Sequence, residues 1–383
     1  MSGETRRALP HFAGIDVLRG LAVLAVVLHH VHLRFVLDHF DVANLLPKPI
    51  ARVVFWSGYY GVIVFFVISG FLITNLSLRR WSALPRIEAR AFYVMRFARI
   101  VPCLVALLAV LSVLHLAGVA DYAIDPAKSS LPRAVVAALT FHFNWLEGTR
   151  GYLPGSWDVL WSLSIEEAFY VLFPLACIAL RGERAIVIAL LGFVVIGPAS
   201  RVFDAASEPW DEYAYLSCMD GIAFGCLAAL LQTRRAFSRR AMRVAFGVGV
   251  AMMLLVIAFR STTNAIGLVS TGLYITVLEA GSALVLLAIA NGIGERWSAR
   301  GPFAALGFVG RRSYEIYLTH MFVVFSTVAA FKAIDADLAF VGVWYGAAVA
   351  VSIALGDVVA RGFSFPANRA IRRAAGVGSA SVG

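Results

Sequence analysis

The sequence predicts an all-α protein, a polytopic transmembrane bundle of about ten helices with both termini cytoplasmic. Three observations predict this fold class. Hydrophobic residues make up 60% of the chain and charged residues 15%, with a mean hydropathy of +0.81, whereas soluble proteins have about 45–50% and about 25%. Ten apolar runs are long enough to cross a bilayer. Lys and Arg are concentrated in alternate connections between these runs.

The ten apolar runs are interpreted as helices because only a helix or a closed barrel pairs every backbone polar group inside lipid. About 20 apolar residues cross the hydrocarbon core. We take residues 15–362 as one transmembrane domain between a cytoplasmic N-terminal segment, 1–14, and a cytoplasmic C-terminal tail, 363–383. The predicted spans are 15–33, 53–75, 100–120, 159–180, 184–200, 214–231, 243–259, 266–290, 306–331 and 338–360.

The orientation follows from the basic residues. Of the 33 Lys and Arg residues, 23 fall in the N-terminal segment and in the connections after even-numbered spans. Nine fall on the other side, and Arg19 lies within the first span. Because basic loops stay in the cytoplasm, this asymmetry places both termini there.

Composition also argues against several other classes. The net charge of +10 is compatible with nucleic-acid binding, but the basic residues lie in short loops between apolar runs, so no nucleic-acid partner is expected. The N-terminal residues lack an apolar core followed by a cleavage site, so no removable signal peptide is expected. The cysteines lie in apolar stretches whose spacing matches neither a zinc site nor a disulfide framework, which predicts packing roles and no metal. They are Cys103, Cys177, Cys218 and Cys226.

The first span, IDVLRGLAVLAVVLHHVHL, contains ionisable residues that are costly inside a membrane and are therefore functional candidates. Arg19 and His30 are eleven residues apart, which puts them on one helical face about 16 Å apart. His29 points elsewhere. An imidazole can take a proton from a hydroxyl near neutral pH, whereas a guanidinium supplies positive charge and donors. A structural polar seam, or a histidine at the membrane interface, would explain the same spacing.

The fourth span, WDVLWSLSIEEAFYVLFP, carries two adjacent carboxylates, Glu166 and Glu167. Consecutive helical residues point about 100° apart, so we expect one to face a cavity while the other pairs with a basic group. Either one could orient His30 or balance its charge, as a carboxylate does for a catalytic imidazole. The alternative is an Arg–Glu pair that only joins two helices.

Arg96 and Arg99 lie three residues apart at the cytoplasmic start of the predicted third span and so share one helical face. Two forked guanidinium groups can grip phosphates. The same pair also fits an orientation signal or an anchor for lipid headgroups. Other spans contain Asp220, Glu315 and His320, and we interpret His320 as a hydrogen-bonded interior residue rather than a second catalyst.

Two further features concern packing and access. Ser69 and Gly70 in the second span allow close backbone approach between helices. The outside connection 121–158 is rich in aromatic and turn residues and is too long for a tight link, so we expect it to cover a site.

Six segments occur in one order along the chain: IDVLRGLAVLAVVLHH, GVIVFFVISGFLI, FYVMRFARIVP, WSLSIEEAFYVLFP, MDGIAFG and SYEIYLTH. Together they resemble the membrane acyltransferase-3 family, whose members O-acylate bacterial surface polysaccharides and related acceptors. The resemblance runs over nearly the whole chain. The family pattern of a basic residue, ten intervening residues and a histidine falls on Arg19 and His30. Its Trp-Ser-x-Ser-x-Glu-Glu motif falls on Trp161 to Glu167.

The resemblance also implies that Arg96 and Arg99 contact the phosphates of acyl-CoA. Two positions depart from the family pattern: Ala168 stands where many relatives have Gln, and Thr319 stands where Trp often precedes His320. Neither departure replaces a proposed proton carrier. They bear on the identity of the acceptor rather than on the chemistry.

The function implied is that of an O-acyltransferase in the bacterial inner membrane. It would transfer an acyl group, with acetyl favoured, from acyl-CoA to a hydroxyl of a saccharide or lipid-linked glycan, with the lipid bilayer as its other partner. His30 would deprotonate the acceptor hydroxyl, supported by Arg19, Glu166 and Glu167, and the hydroxyl would attack the thioester directly or attack an acylated intermediate. Acylation of a small macrolide-like metabolite and a membrane transporter are the alternatives, because charged residues in spans also serve solute pathways.

Overall fold

The computed structural model describes residues 12–37, 41–204, 209–337 and 340–377, and within these ranges the chain is helical without a β-strand. Ten of its helical segments are long and apolar enough to cross a membrane. The predicted all-α bundle of about ten spans is therefore confirmed. The helices used below are α1 Ala13–Leu37, α2 Gly58–Trp81, α3 Ala89–Leu116, α4 Leu160–Leu180, α5 Glu183–Asp204, α6 Tyr215–Arg234, α7 Arg239–Ala258, α8 Leu273–Ala290, α9 Ser313–Ala333, α10 Val341–Val359 and α11 Phe365–Ala374.

Several predicted boundaries differ from the observed ones. The third span begins at Ala89 instead of 100, because charged side chains that reach water allow a helix to continue beyond its apolar run, and Arg96 and Arg99 therefore lie inside α3. The eighth begins at Leu273 instead of 266, since Gly267 and Gly272 adopt positive φ and interrupt the helix. The predicted ninth span is broken at Arg312, between a helix at Gly301–Arg311 and α9.

Parts of three predictions lie outside the described residues: residues 1–11 of the N-terminal segment, residues 378–383 of the tail, and the predicted start of the tenth span at 338. An even number of spans predicts that the two described ends, Phe12 and Val377, lie at one face of the bundle, which we call the terminal face. The other is called the opposite face. The assignment of the terminal face to the cytoplasm stays a prediction from the arginine distribution.

The second helix lies at the centre of the bundle. In its most apolar stretch 78% of the residues are buried by protein, against 22% in α5 and α7, which therefore lie at the periphery. Helices α2 and α6 touch through two glycines. A Cβ added at Gly70 would lie 2.0 Å from the carbonyl oxygen of Ile222, and one at Gly225 would lie 2.0 Å from that of Val67. The close approach predicted at Ser69 and Gly70 is confirmed at Gly70.

The long connection before α4 folds into a helical cap on the opposite face. It contains three short helices, Leu131–Leu139, Phe143–Arg150 and Gly155–Asp158. The fully buried Trp157 donates its indole N–H to the carbonyl oxygen of Tyr122 at 3.0 Å. Apolar residues of the cap pack against α3, α4 and α9. The connection is thus a packed part of the domain rather than a loose link.

Candidate active site

A histidine pair joins α1 to α9. The Nδ1 of His30 lies 3.1 Å from the Nε2 of His320 and 2.9 Å from the carbonyl oxygen of Val26. His320 donates its own Nδ1–H to the carbonyl oxygen of Tyr317 at 2.7 Å, so its Nε2 carries a lone pair and accepts. This hydrogen-bonding pattern assigns the His30 proton to Nδ1 and leaves the Nε2 of His30 unprotonated.

The Nε2 of His30 is also open. It has no hydrogen-bond partner among the residues that the structure describes, and the residue is only half-buried, whereas His320 is fully buried. An accessible, unprotonated ring nitrogen whose other nitrogen is held by a hydrogen bond is the arrangement that a general base needs. His29 points away, as predicted, and donates from Nδ1 to the carbonyl oxygen of Phe55 at 3.0 Å.

One turn beyond His30, the side chain of Arg34 lies against the cap. Its guanidinium carbon is 4.8 Å from the centroid of the Phe325 ring. A Cβ added at Gly155 would lie 1.7 Å from its Nη2, so the guanidinium occupies the space that this glycine leaves free. Asp158 interacts electrostatically with Arg34. These contacts place the cap next to the histidine pair.

A second group of polar side chains surrounds Arg19, nearer the terminal face. The Nη1 of Arg19 lies 3.8 Å from the Oδ1 of Asp16. Arg19 also interacts electrostatically with the charged side chains of Arg99, Glu315 and Glu166. The side chains of Arg19 and Arg99 are nonetheless 22% and 25% exposed. We call this group of charged side chains, which lies among the helices and keeps some accessible surface, the inner layer.

The two adjacent glutamates differ in exposure and neighbours. Glu166 is half-buried and accepts hydrogen bonds from the hydroxyl of Ser69 and from that of Tyr170, the latter at 2.5 Å. Glu167 is only 5% exposed, and its carboxylate interacts electrostatically with the guanidinium of Arg96. Glu166 is therefore the more accessible of the two carboxylates, and Glu167 is the more deeply buried one.

Neither glutamate hydrogen-bonds to His30 in the part of the chain that the structure describes. His320 occupies the position that sequence reasoning gave to an orienting carboxylate. A neutral imidazole can fill this role because its Nε2 accepts the Nδ1–H of His30.

Arg96 and Arg99 share a helical face, as predicted, but have different partners. Arg99 pairs with Glu315, with 3.4 Å between its Nη2 and Oε2, and donates to the hydroxyl of Ser364 at 3.1 Å. Its guanidinium is thus held in the inner layer. The guanidinium carbon of Arg96 lies 5.2 Å from the ring centroid of Tyr170. Of the two, only Arg96 presents a guanidinium without a hydrogen-bonded carboxylate among the described residues.

Sequence reasoning missed Tyr317 as a member of the site, and it named Ser162 only as part of the family motif without giving it a role. Their hydroxyl oxygens are 2.6 Å apart, and Tyr317 also supplies the carbonyl oxygen that holds His320. Tyr317 and His320 are three residues apart on α9, so the i, i+3 relation was an available signal. It says nothing about α1, however, and could not reveal the contact with His30.

The described residues contain no group of three or more His, Cys, Asp or Glu side chains that could hold a metal ion. All four cysteines are buried and unbridged, which agrees with packing roles.

A family model described as an acyltransferase domain, that of the acyltransferase-3 family, matches residues 12–360. Peptidoglycan O-acetyltransferase OatA of Listeria monocytogenes is 23% identical over 344 residues, which are 84% of this chain and 50% of that protein. O-acetyltransferase OatA of Staphylococcus aureus is 23% identical over 337 residues, 81% of this chain and 50% of that protein.

This chain therefore spans about half the length of the curated relatives it matches. No solved structure matches it. The family match covers most of the chain, including all ten spans up to Ala360. The chain belongs to the acyltransferase-3 family.

Proposed function

We propose that the chain is an integral-membrane O-acyltransferase that moves an acyl group, acetyl by preference, from acyl-CoA to a hydroxyl of a saccharide acceptor. The observation that carries the proposal is the His30–His320 pair, in which one imidazole nitrogen is open while the other is held. Membership of the acyltransferase-3 family supports the reaction class.

The reaction needs a single general base, positioned at the hydroxyl of the acceptor. As the acceptor oxygen attacks the thioester carbonyl carbon, the Nε2 of His30 takes the hydroxyl proton. The carbon–sulfur bond then breaks, and the departing CoA thiolate takes that proton from the imidazolium, which restores neutral His30. General base catalysis of this kind contributes about 10²–10⁴-fold in rate. His320 acts as a positioning residue because it holds the Nδ1–H of His30.

The inner layer supports the path of the donor. Acyl-CoA enters from the terminal face, where Arg96 and then Arg99 offer positive charge. Arg19 lies about 16 Å along α1 from His30, too far to stabilise an oxyanion there, so it stabilises negative charge along the donor path. Glu166, held by Ser69 and Tyr170, and Glu167 behind it balance the guanidinium groups.

The acceptor approaches from the opposite face, next to the cap. The name of the Listeria relative states a peptidoglycan substrate for that protein, and a saccharide or lipid-linked glycan acceptor for this chain rests on that likeness. The arginine distribution supports a cytoplasmic terminal face, where acyl-CoA is available. The proposed location is therefore the bacterial inner membrane.

The test uses the full chain in sealed proteoliposomes, with acetyl-labelled CoA supplied at the terminal face and short glycan acceptors at the opposite face. The expected result is an ester-linked label on the acceptor, detected by its mass, and loss of the product in His30→Ala. Movement of either substrate across the membrane without ester formation would support the transporter alternative and contradict the proposal. Ester formation on a macrolide-like alcohol but on no glycan would reassign the acceptor class.

A further inference from the structure

A cavity of about 340 Å³ lies between the ends of α2 and α6. Most of its lining side chains are polar, and the full set is Leu78, Arg79, Ser82, Gln232, Thr233 and Arg234. The guanidinium carbon of Arg79 lies 5.8 Å from the ring centroid of Phe12, just before α1, so the cavity belongs to the terminal face. A polar cavity of this size has room for a small charged group.

A chain of hydrogen bonds between α2 and α6 fixes two donors at this cavity. Asn75 is only 4% exposed, and its Nδ2 donates to the Oε1 of Gln232 at 3.0 Å. Its Oδ1 accepts from the Nε of Arg79 at 2.6 Å. These two bonds leave the amide NH₂ of Gln232 and both terminal NH₂ groups of Arg79 without hydrogen-bond partners among the described residues. Both side chains are thus held in place with unused donors.

The two arginines of the cavity differ in how their charge is balanced. Arg234 pairs with Glu183, and its Nε donates to the Oε1 of that carboxylate at 3.0 Å. Arg79 makes no ion pair with an acidic side chain in the part of the chain that the structure describes. Its outer edge carries two NH₂ groups in the fork geometry that matches two phosphate oxygens. The uncompensated charge of Arg79 therefore favours a phosphate.

The backbone adds acceptors to the same cavity. Helix α2 ends at Trp81, where Ser82 takes a positive φ of 63°, and α6 ends at Arg234. The last carbonyl oxygens of a helix lack helical partners and carry partial negative charge. A polyanion such as acyl-CoA is disfavoured beside two such ends. A ligand that carries an ammonium group next to its phosphate matches both the donors and the acceptors.

The cavity lies on a different side of α2 from the arginines of α3. Arg79 and Arg80 are consecutive, so their side chains point about 100° apart. The Nη1 of Arg80 lies 3.6 Å from the sulfur of Met95 in α3, whereas Arg79 is connected through Asn75 to α6. A ligand in the cavity is therefore separate from the proposed path of the donor.

The cavity also adjoins the periphery of the bundle. Glu183, the partner of Arg234, is the first residue of α5, and α5 is one of the two helices least buried by protein. Peripheral helices of a membrane protein face lipid, whose headgroups lie at the level of the helix ends. A phospholipid next to α5 could place its headgroup in the cavity while its chains stay in the bilayer.

We propose that the cavity binds the headgroup of a phospholipid whose phosphate is accompanied by a primary ammonium, as in phosphatidylethanolamine. Arg79 and the amide of Gln232 hold phosphate oxygens, and carbonyl oxygens at the ends of α2 and α6 accept from the ammonium. The site goes beyond acyl transfer and does not depend on it. A soluble phosphoethanolamine presents the same chemistry, and the experiment separates the two sources.

The experiment uses the delipidated full chain in detergent and measures lipid binding by native mass spectrometry. We expect dioleoyl-phosphatidylethanolamine to bind more tightly than the phosphatidylglycerol and phosphatidylcholine with the same chains. The first of these lacks an ammonium, and the second has one without an N–H. Arg79→Gln and Gln232→Glu should each weaken binding of the phosphatidylethanolamine about tenfold. Gln232→Glu keeps an oxygen that can accept from Asn75 but places a negative charge where the phosphate lies.

Arg235→Gln is the matched control, because Arg235 is exposed, follows Arg234 directly and does not line the cavity. It should bind phosphatidylethanolamine as the wild type does. Equal binding by the wild type, Arg79→Gln and Gln232→Glu would overturn the site, and so would equal losses in all three variants. Equal or tighter binding of phosphatidylglycerol would overturn the role given to the ammonium.

Two further measurements separate this site from other ligands. Glycerophosphoethanolamine, which lacks acyl chains, should bind much more weakly than the lipid, and equal binding would make the ligand a soluble molecule. KM for acetyl-CoA should be the same in Arg79→Gln and the wild type, and a rise would assign Arg79 to the donor instead. Phosphatidylethanolamine should raise the thermal unfolding midpoint of the wild type more than that of Arg79→Gln, and equal shifts would contradict the proposal.

Discussion

Two buried polar groups within the spans differ in how completely they are paired. Arg201 of α5 has five N–H donors, and each reaches an acceptor. Its Nε donates to the carbonyl oxygen of Gly272 at 2.9 Å and its Nη1 to that of Ser217 at 2.6 Å. Its Nη1 and Nη2 hold both oxygens of Asp220 at 3.1 and 2.6 Å, and Nη2 also donates to Thr276 at 2.6 Å.

The histidine pair has the opposite character. It is uncharged, it uses only one nitrogen of His30, and it leaves the other open to accessible space. The Arg201 network joins α5, α6 and α8. Because every N–H of Arg201 is already hydrogen-bonded, none is available for chemistry. The histidine pair makes fewer hydrogen bonds between helices, and the open nitrogen of His30 can take up and release a proton. The comparison separates a structural role for Arg201 from a chemical role for His30.

Removal of the open imidazole should have the largest effect on activity. We expect His30→Ala to lower the rate of acyl transfer by about 10²–10⁴-fold, because it removes the base that takes the proton of the acceptor hydroxyl. The thermal unfolding midpoint should stay close to that of the wild type. His29→Ala is the matched control and should keep most of the activity, since the Nδ1 of His29 donates to the carbonyl oxygen of Phe55 and its ring touches that of His30 only edge-on, without a hydrogen bond. Equal losses in the two variants would remove the special role of His30.

Replacement of Arg201, whose N–H groups are all hydrogen-bonded, should lower stability rather than activity. Arg201→Met leaves the carboxylate of Asp220 buried, with Glu279 as a second buried acid nearby and no cation between them. The cost expected for breaking a buried pair is about 3–5 kcal/mol. It should appear as a lower thermal unfolding midpoint, while kcat of the folded fraction stays near that of the wild type. A normal midpoint with lost kcat would reverse the comparison.

The partner of His30 should show an intermediate effect. His320→Ala is expected to lower kcat by about 10–100-fold with little change in KM, because it removes one of the two acceptors of the His30 Nδ1–H and leaves the carbonyl oxygen of Val26. His320→Gln, whose amide oxygen can accept the same proton, should recover part of kcat. A purely structural role for His320 predicts no difference between the alanine and glutamine variants after correction for folded protein.

The smallest effect concerns Glu147 in the cap. Burial, together with the nearby Asp158, raises the pKa of the Glu147 carboxyl well above its usual value of 4.5, against the opposing N–H of Leu153 and the charge of Lys128. The folded state therefore holds a proton that the unfolded state releases above that value. Its contribution to stability is complete below pH 4.5 and is lost as pH rises through the raised pKa.

We therefore expect the thermal unfolding midpoint of the wild type to fall as pH is raised from about 5 to about 8. Glu147→Gln, which imitates the protonated acid, should show a shallower fall and be the more stable protein at the higher pH. The exposed Glu295→Gln serves as the control and should follow the wild type. Identical pH profiles for Glu147→Gln and the wild type would show that Glu147 is ionised in the fold.

The ten spans could be predicted because lipid permits few backbone structures, and the shared face of Arg19 and His30 follows from the helical repeat alone. The contact between His30 and His320 could not, since 290 residues separate them and only the packing of α1 against α9 brings them together.

The tautomer of His30 tests the central claim most directly. Nitrogen-15 NMR of the histidine-labelled full chain in lipid, compared with the same sample of His30→Ala, isolates the ring signals of this residue. The account predicts a neutral ring with its proton on Nδ1 and an unprotonated Nε2. A spectrum with the proton on Nε2 would contradict it, because His30 could not then accept the proton of an alcohol.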